Sequence, residues 1–218
     1  MASRSRWRPT GDAGMTLIEL LVTMAILSGA MTIVTSAVIS VQKHVSDVQG
    51  SADANAAARL AVAQIDRQVR SGNVLYSPAN ETQPTTCTPT GTDAGTCMRV
   101  YTQANGAERC VQWQVLQDAQ DATSDVLRSR SWSPAWQTDG VYTGWTVQAR
   151  GLVRDESVPP FTLRGAATVS SSRFLVVEFQ AKDPRRPGKP VVVTSSLAGR
   201  NTNYGFDGGL CAAAPPSS

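Results

Sequence analysis

The chain has a single histidine, His44, in 218 residues, and aromatic side chains make up only 6% of it. A Ser–His–acid triad or a zinc site built on histidine therefore lacks most of its parts. No G-x-S-x-G, H-E-x-x-H or Walker-type phosphate loop occurs in the sequence. Charged residues are sparse at 17% and the net charge is +3, which excludes the strongly basic class of nucleic-acid binder. Much of that charge is local: Arg4, Arg6 and Arg8 fall in the first eight residues, and without the first fourteen the net charge is +1. Proline is missing between Pro9 and Pro78. Scarcest of all is charge between Met15 and Val41, where Glu19 stands alone.

That charge-poor stretch defines the N-terminal element. Residues 15–34, "MTLIELLVTMAILSGAMTIV", would span about 30 Å as a helix, the hydrocarbon thickness of a bilayer. The arginines ahead of it predict a cytoplasmic N-terminus, with the rest of the chain delivered outside. The four cysteines, Cys87, Cys97, Cys110 and Cys211, all follow the apolar segment. An even number on the outer side predicts disulfides in an oxidising compartment. Four cysteines allow three connectivities, and the sequence does not choose among them. Closure of the Pro/Gly-rich loop favours Cys87–Cys97, which leaves Cys110 to tie the tail at Cys211.

An ionised side chain at the centre of a membrane helix costs about 2.5–3.5 kcal/mol, less near the end. Glu19 is therefore either a tolerated charge at the cytoplasmic boundary or half of an ion pair. Cutting the chain after Gly14 would supply the other half, the new α-amino group of Met15. Packed side by side, the amine of one copy meets Glu19 of its neighbour, and burial makes that pair costly to break.

"GMTLIELLVTMAIL", residues 14–27, resembles the cleavage-and-methylation signal of type IV prepilins and of type II secretion pseudopilins. The resemblance covers about the first 35 residues: a short basic leader ending in glycine, then an apolar helix with glutamate at its fifth position. Met15 stands where that family usually has phenylalanine. The resemblance implies cleavage after Gly14 by a membrane-embedded prepilin peptidase, N-methylation of Met15 by the same enzyme, and assembly with other pilin or pseudopilin subunits through Glu19. It also implies storage as a single-pass protein of the cytoplasmic membrane, in contact with lipid, before passage into a surface filament. The competing readings are an uncleaved signal anchor and a secretory signal cut near Thr35–Ala37. Against the second, the apolar run exceeds the usual 7–15 residues and Glu19 would interrupt it.

Beyond Val41 the chain stays helical but turns amphipathic. Ala58, Val62, Ile65 and Val69 recur at helical spacing, with Arg59, Asp66, Arg67 and Arg70 on other faces. One helix is expected from Met15 to about Ser71, stopped by "SGN" with Gly72 in a left-handed conformation. Short β-like runs follow. "MRVYTQ" and "RCVQWQVL" flank a hairpin at Asn105-Gly106. "VLRSRSW", "WTVQARGLV", "RFLVVEFQAK" and "PVVVTSS" are further strands. Leu175, Val177, Phe179 and Ala181 alternate onto one face. The fold expected is α+β, an antiparallel sheet laid across the long N-terminal helix. Its divisions are a leader, 1–14; an apolar half-helix, 15–38; an amphipathic half-helix, 39–72; a β body, 73–200; and a flexible tail, 201–218, tethered at Cys211. "QIDRQVRSGNVLY" and "TSSLAGRN" resemble segments of the large minor pilins, the J-type pseudopilin among them.

Three clusters bear on other chemistry. Asp118, Asp121 and Asp125 lie close together, but their spacing is not that of an EF-hand, and a solvated acidic loop is the reading adopted. Trp113, Trp132, Trp136 and Trp145 interleave with Arg128, Arg130 and Arg150, a pattern able to stack single-stranded DNA; core and sheet-face packing is preferred. Arg185, Arg186 and Lys189 read as solubilising charge, and His44 as a solvated residue near the membrane surface. No metal, cofactor, nucleic-acid partner or enzymatic activity is expected. A membrane-anchored extracytoplasmic binding module that never polymerises is the alternative from another class.

Overall fold

The structure, a computed structural model, describes residues 16–84, 86–88, 90–164, 174–183, 188–199, 206 and 209–216. Helix α1 runs Leu17–Arg70. The chain divides into two compact units, residues 1–46 and 47–218. In the first, α1 presents its apolar side chains to the exterior all the way round. In the second, α1 lies on an antiparallel β-sheet, the α+β arrangement expected.

The sheet has eight strands: β1 Gly72–Leu75, β2 Cys97–Thr102, β3 Arg109–Gln117, β4 Asp125–Trp132, β5 Thr146–Val153, β6 Phe161–Arg164, β7 Phe174–Ala181 and β8 Val191–Ala198. Neighbours run β1, β2, β3, β4, β5, β7, and β6 and β8 each also pair with β7. The β2–β3 hairpin falls where Asn105-Gly106 places it; a 3-10 turn, Ala104–Gly106, closes it, and Gly106 takes the left-handed φ of 74° that suits glycine. β1 and β6, four residues each, are additions to the strands read from the sequence.

Register fixes which side chains meet. Trp113 opposes Met98 on one side and Ser129 on the other, so Val111, Trp113, Val115 and Leu127 share the face toward α1. Ala58, Ala61, Ile65 and Val69 of the helix close that core with Leu152, Phe161, Leu175, Val177 and Phe179. Ala61 takes the buried place expected of Val62, which is half-buried, because a 3.6-residue turn alternates three- and four-residue steps. The indole N–H of Trp113 donates to Gln68 Oε1 at 2.7 Å and pins the helix to the sheet.

The helix stop differs from expectation in one detail. Gly72 is not left-handed; it opens β1, and a Cβ there would lie 3.1 Å from the carbonyl oxygens of Gln68 and Val69. The closing group is Ser71, whose hydroxyl donates to Arg67 O at 3.0 Å and whose N–H reaches the same oxygen at 3.2 Å. The sheet therefore begins at residue 72, one earlier than expected, and residues 47–70 of the helix belong to the body.

Candidate functional site

Two regions stand out: the bare apolar half of α1 and, within the body, the sheet face opposite the one that Ala58, Ala61, Ile65 and Val69 cover. Gly14, Met15 and the leader lie outside the described residues, as do Arg185 and Arg186; Lys189 is exposed. In α1, Thr16 caps the first turn, its Oγ1 accepting from the Glu19 N–H at 3.3 Å. No hydrogen bond or ion pair reaches the Glu19 carboxylate from the described residues, and the residue is exposed. Around it Leu17, Ile18, Leu21, Met24 and Ile26 are all more than half exposed. None of this apolar stretch is buried, and the helix is long and apolar enough to cross a membrane.

The hydroxyls of that segment are already satisfied. Thr23 donates to Leu20 O, Ser28 to Ala25 O, Thr32 to Ser28 O, Thr35 to Met31 O and Ser36 to Thr32 O, at 2.7–2.9 Å. A hydroxyl bonded to its own helix can sit in hydrocarbon without an orphaned donor. Glu19 is the charged side chain of this segment, and its carboxylate has no partner among the described residues. His44 follows the apolar run and is exposed on the helix.

The far sheet face is polar, buried and clipped by both disulfides, Cys87–Cys97 and Cys110–Cys211. The pairing is the one favoured by loop closure. Register brings Arg99, Gln112 and Arg130 into one row and Gln114 and Arg128 into the next. Gln112 and Gln114 are fully buried, and Arg130 is only 3% exposed. Arg130 has no carboxylate within ion-pair distance among the described residues. Its Nε and Nη2 donate to Gln112 Oε1 at 2.9 and 2.8 Å, and its Nη1 donates to Pro215 O at 2.8 Å. The Trp145 ring lies against the guanidinia of both Arg128 and Arg130, at 4.3 and 4.5 Å. Burial, helped by the neighbouring Arg128, pulls Arg130 down to about 10. Arg99 sits 3.0 Å from Glu81, whose carboxyl is raised above its usual range because burial outweighs the attraction of Arg99.

The three aspartates are tied down separately. Asp118 pairs with Arg150 at 2.6 Å, which holds its carboxyl below the usual range. Asp121 is also depressed, chiefly by the Thr123 hydroxyl, and faces Lys182 at 3.5 Å. Asp125 pairs with Arg154 at 3.0 Å. Among the tryptophans, Trp113 serves the helix-side core and Trp132 the opposite face, with Cys110 and Cys211. Arg99, Glu81, Gln83, Gln112 and Gln114 were not singled out from the sequence; Gln112 and Gln114 alternate with apolar residues as they would on a strand with one solvated face.

Comparison with protein-family models, curated proteins and solved structures found no match to this chain.

Proposed function

We propose that this chain is a minor pilin- or pseudopilin-like subunit of a type IV filament system. In this reading a prepilin peptidase cuts after Gly14 and methylates Met15, and the mature subunit waits in the cytoplasmic membrane until assembly. Its partners are other pilin or pseudopilin subunits, and its place is to prime or cap the filament. One observation carries the reading: an apolar half-helix, exposed throughout its described residues, bears a single acid in its first turn, and the chain continues into a body closed by two disulfides. Large exposed apolar surface marks a membrane or protein contact. A lone acid within it is costly in hydrocarbon, and a cation arriving with the neighbour offsets that cost.

Glu19→Val tests the pairing. Processing should be largely unchanged, because the cut site is intact, while incorporation into filaments at native expression should fall about tenfold or more, the equivalent of about 1.4 kcal/mol. Quantitative immunoblotting of sheared filaments against the membrane fraction reads both. Wild-type incorporation of Glu19→Val would remove Glu19 from the assembly contact.

A further inference from the structure

Residues 209–216 belong to no strand or helix, and their side chains give them little hold on the body. The segment opens on a turn, closed by the Ala212 N–H donating to Gly209 O at 2.9 Å. Cys211 and Pro215 are buried, whereas Ala212, Ala213 and Pro216 are exposed. What the body holds is the backbone. Tyr76 Oη accepts from the Cys211 N–H at 3.2 Å, and Arg99 donates to the carbonyls of Cys211 and Ala212. Trp136, on the short helix α2 (Trp136–Asp139), donates its indole N–H to Ala213 O at 3.1 Å. Gln83 Oε1 accepts from the Ala214 N–H at 3.0 Å, and Arg130 donates to Pro215 O at 2.8 Å and to Pro216 O at 3.4 Å. Arg130 gains most from this cover. It is a buried cation with no carboxylate within ion-pair distance among the described residues, and such a charge is tolerated only when its donors are bonded. Gln112 Oε1 takes two of its nitrogens and the tail carbonyls take the third.

Hydrogen bonds alone do not keep such a segment down. Fixing the backbone of one residue costs conformational entropy on the scale of a net hydrogen bond or more. The apolar area that Cys211 and Pro215 bury adds little against that cost. The covalent tie decides the balance. Cys110 and Cys211 are fully buried and lie 101 residues apart in sequence, so their bond confines the open chain far more than Cys87–Cys97, which spans 10.

We propose that residues 209–216 are an oxidation-dependent strap, latched by Cys110–Cys211, which closes over the row of Arg99, Gln112 and Arg130 once that disulfide has formed. Under reducing conditions the strap is open and water meets Arg130; under oxidising conditions it closes. Latching is thiol–disulfide exchange: the Cys110 and Cys211 thiols give up two protons and two electrons, and oxidised glutathione is reduced to two thiols. With the strap down both sulfurs are buried, so an attacking thiolate reaches the bond only after local opening. The proposal stands apart from the use of the N-terminal helix.

Hydrogen exchange read by mass spectrometry tests it on the full-length chain in detergent. In the oxidised wild type the backbone amides at 211, 212 and 214 are expected to be protected. A chain carrying both Cys110→Ser and Cys211→Ser, with Cys87–Cys97 kept, should exchange them about tenfold faster or more, with the amides of residues 58–69 in α1 unchanged. A second arm needs no substitution and covers loss of folding in that variant. The wild type is equilibrated across ratios of reduced to oxidised glutathione, and each disulfide is quantified by alkylation and mass spectrometry. Exchange in the tail should follow the fraction of Cys110–Cys211 formed and be indifferent to that of Cys87–Cys97. Tail amides as protected with the disulfide open as with it closed would overturn the proposal, as would tail amides unprotected in the oxidised chain. Loss of protection in residues 58–69 together with the tail, in both arms, would also overturn it, because the bond would then support the whole body.

Discussion

Replacing Gly14 with valine is expected to leave the leader attached and, on the proposed function, to keep the chain out of filaments. A peptidase must bring its catalytic groups against the carbonyl of residue 14, and a branched side chain there obstructs the approach. The consequence reaches past the cut. With the leader attached, the nitrogen of Met15 is an amide without charge, so Glu19 of a neighbour meets no cation. Arg4, Arg6 and Arg8 also remain on the chain, each costing about 2.5–3.5 kcal/mol to draw to the centre of a bilayer. The uncut chain should accumulate in the membrane fraction, with its filament share lowered at least tenfold. Electrophoretic mobility and sheared-filament immunoblots read both effects. A Gly14→Val chain that is still shortened and assembled would place the cut elsewhere.

Trp113→Ala is expected to produce the largest loss of body stability. The indole is fully buried between sheet and helix and donates its N–H to Gln68 at 2.7 Å. Truncating a buried tryptophan costs about 3–5 kcal/mol through lost burial and the cavity left behind. The Gln68 oxygen loses its donor as well. For a body of this size that loss lowers the thermal midpoint by roughly 6–20 °C. Leu60→Ala, on the same helix but 66% exposed, should change stability by less than about 0.5 kcal/mol. Thermal unfolding in detergent, followed by near-UV circular dichroism, separates them; equal shifts would deny that Trp113 pins the helix.

Periodicity made most of this fold legible. A run with Glu19 as its single charge marked the first half of α1, and Leu175, Val177, Phe179 and Ala181 marked β7 by strict alternation, each of them buried. The hairpin at Asn105-Gly106 followed from turn chemistry. β1 and β6 escaped because four residues hold too little pattern to stand out from loops. The far sheet face escaped for another reason. β2 is buried along its whole length and β3 nearly so, so the alternation of Gln112 and Gln114 with Val111, Trp113 and Val115 does not mark an exposed side. The cover comes from irregular segments, around residues 81–87 and 209–216, brought there by long-range contacts. Such segments have no period to read. For the tail, the sequence pointed to Cys211 alone as an anchor, whereas residues 211–216 are bonded at several further points.

At the N-terminus the sequence carried the reading and the structure adds the setting. Glu19 was legible as an anomaly of charge. Its exposure and the self-satisfied hydroxyls of its neighbours leave it as the group in that segment with an unmet electrostatic need. Thr16, which caps the first turn, could have been found from the T-x-x-E spacing that ends at Glu19.

Intact mass and N-terminal sequencing of the protein taken from cells probe the amine–carboxylate pairing most directly. A chain beginning at Met15, lighter by the leader and heavier by one methyl group, is the predicted species. A chain that begins at Met1 carries no cation where Glu19 of a neighbour requires one, a chain that begins at Val38 has lost Glu19 itself, and either would contradict the account.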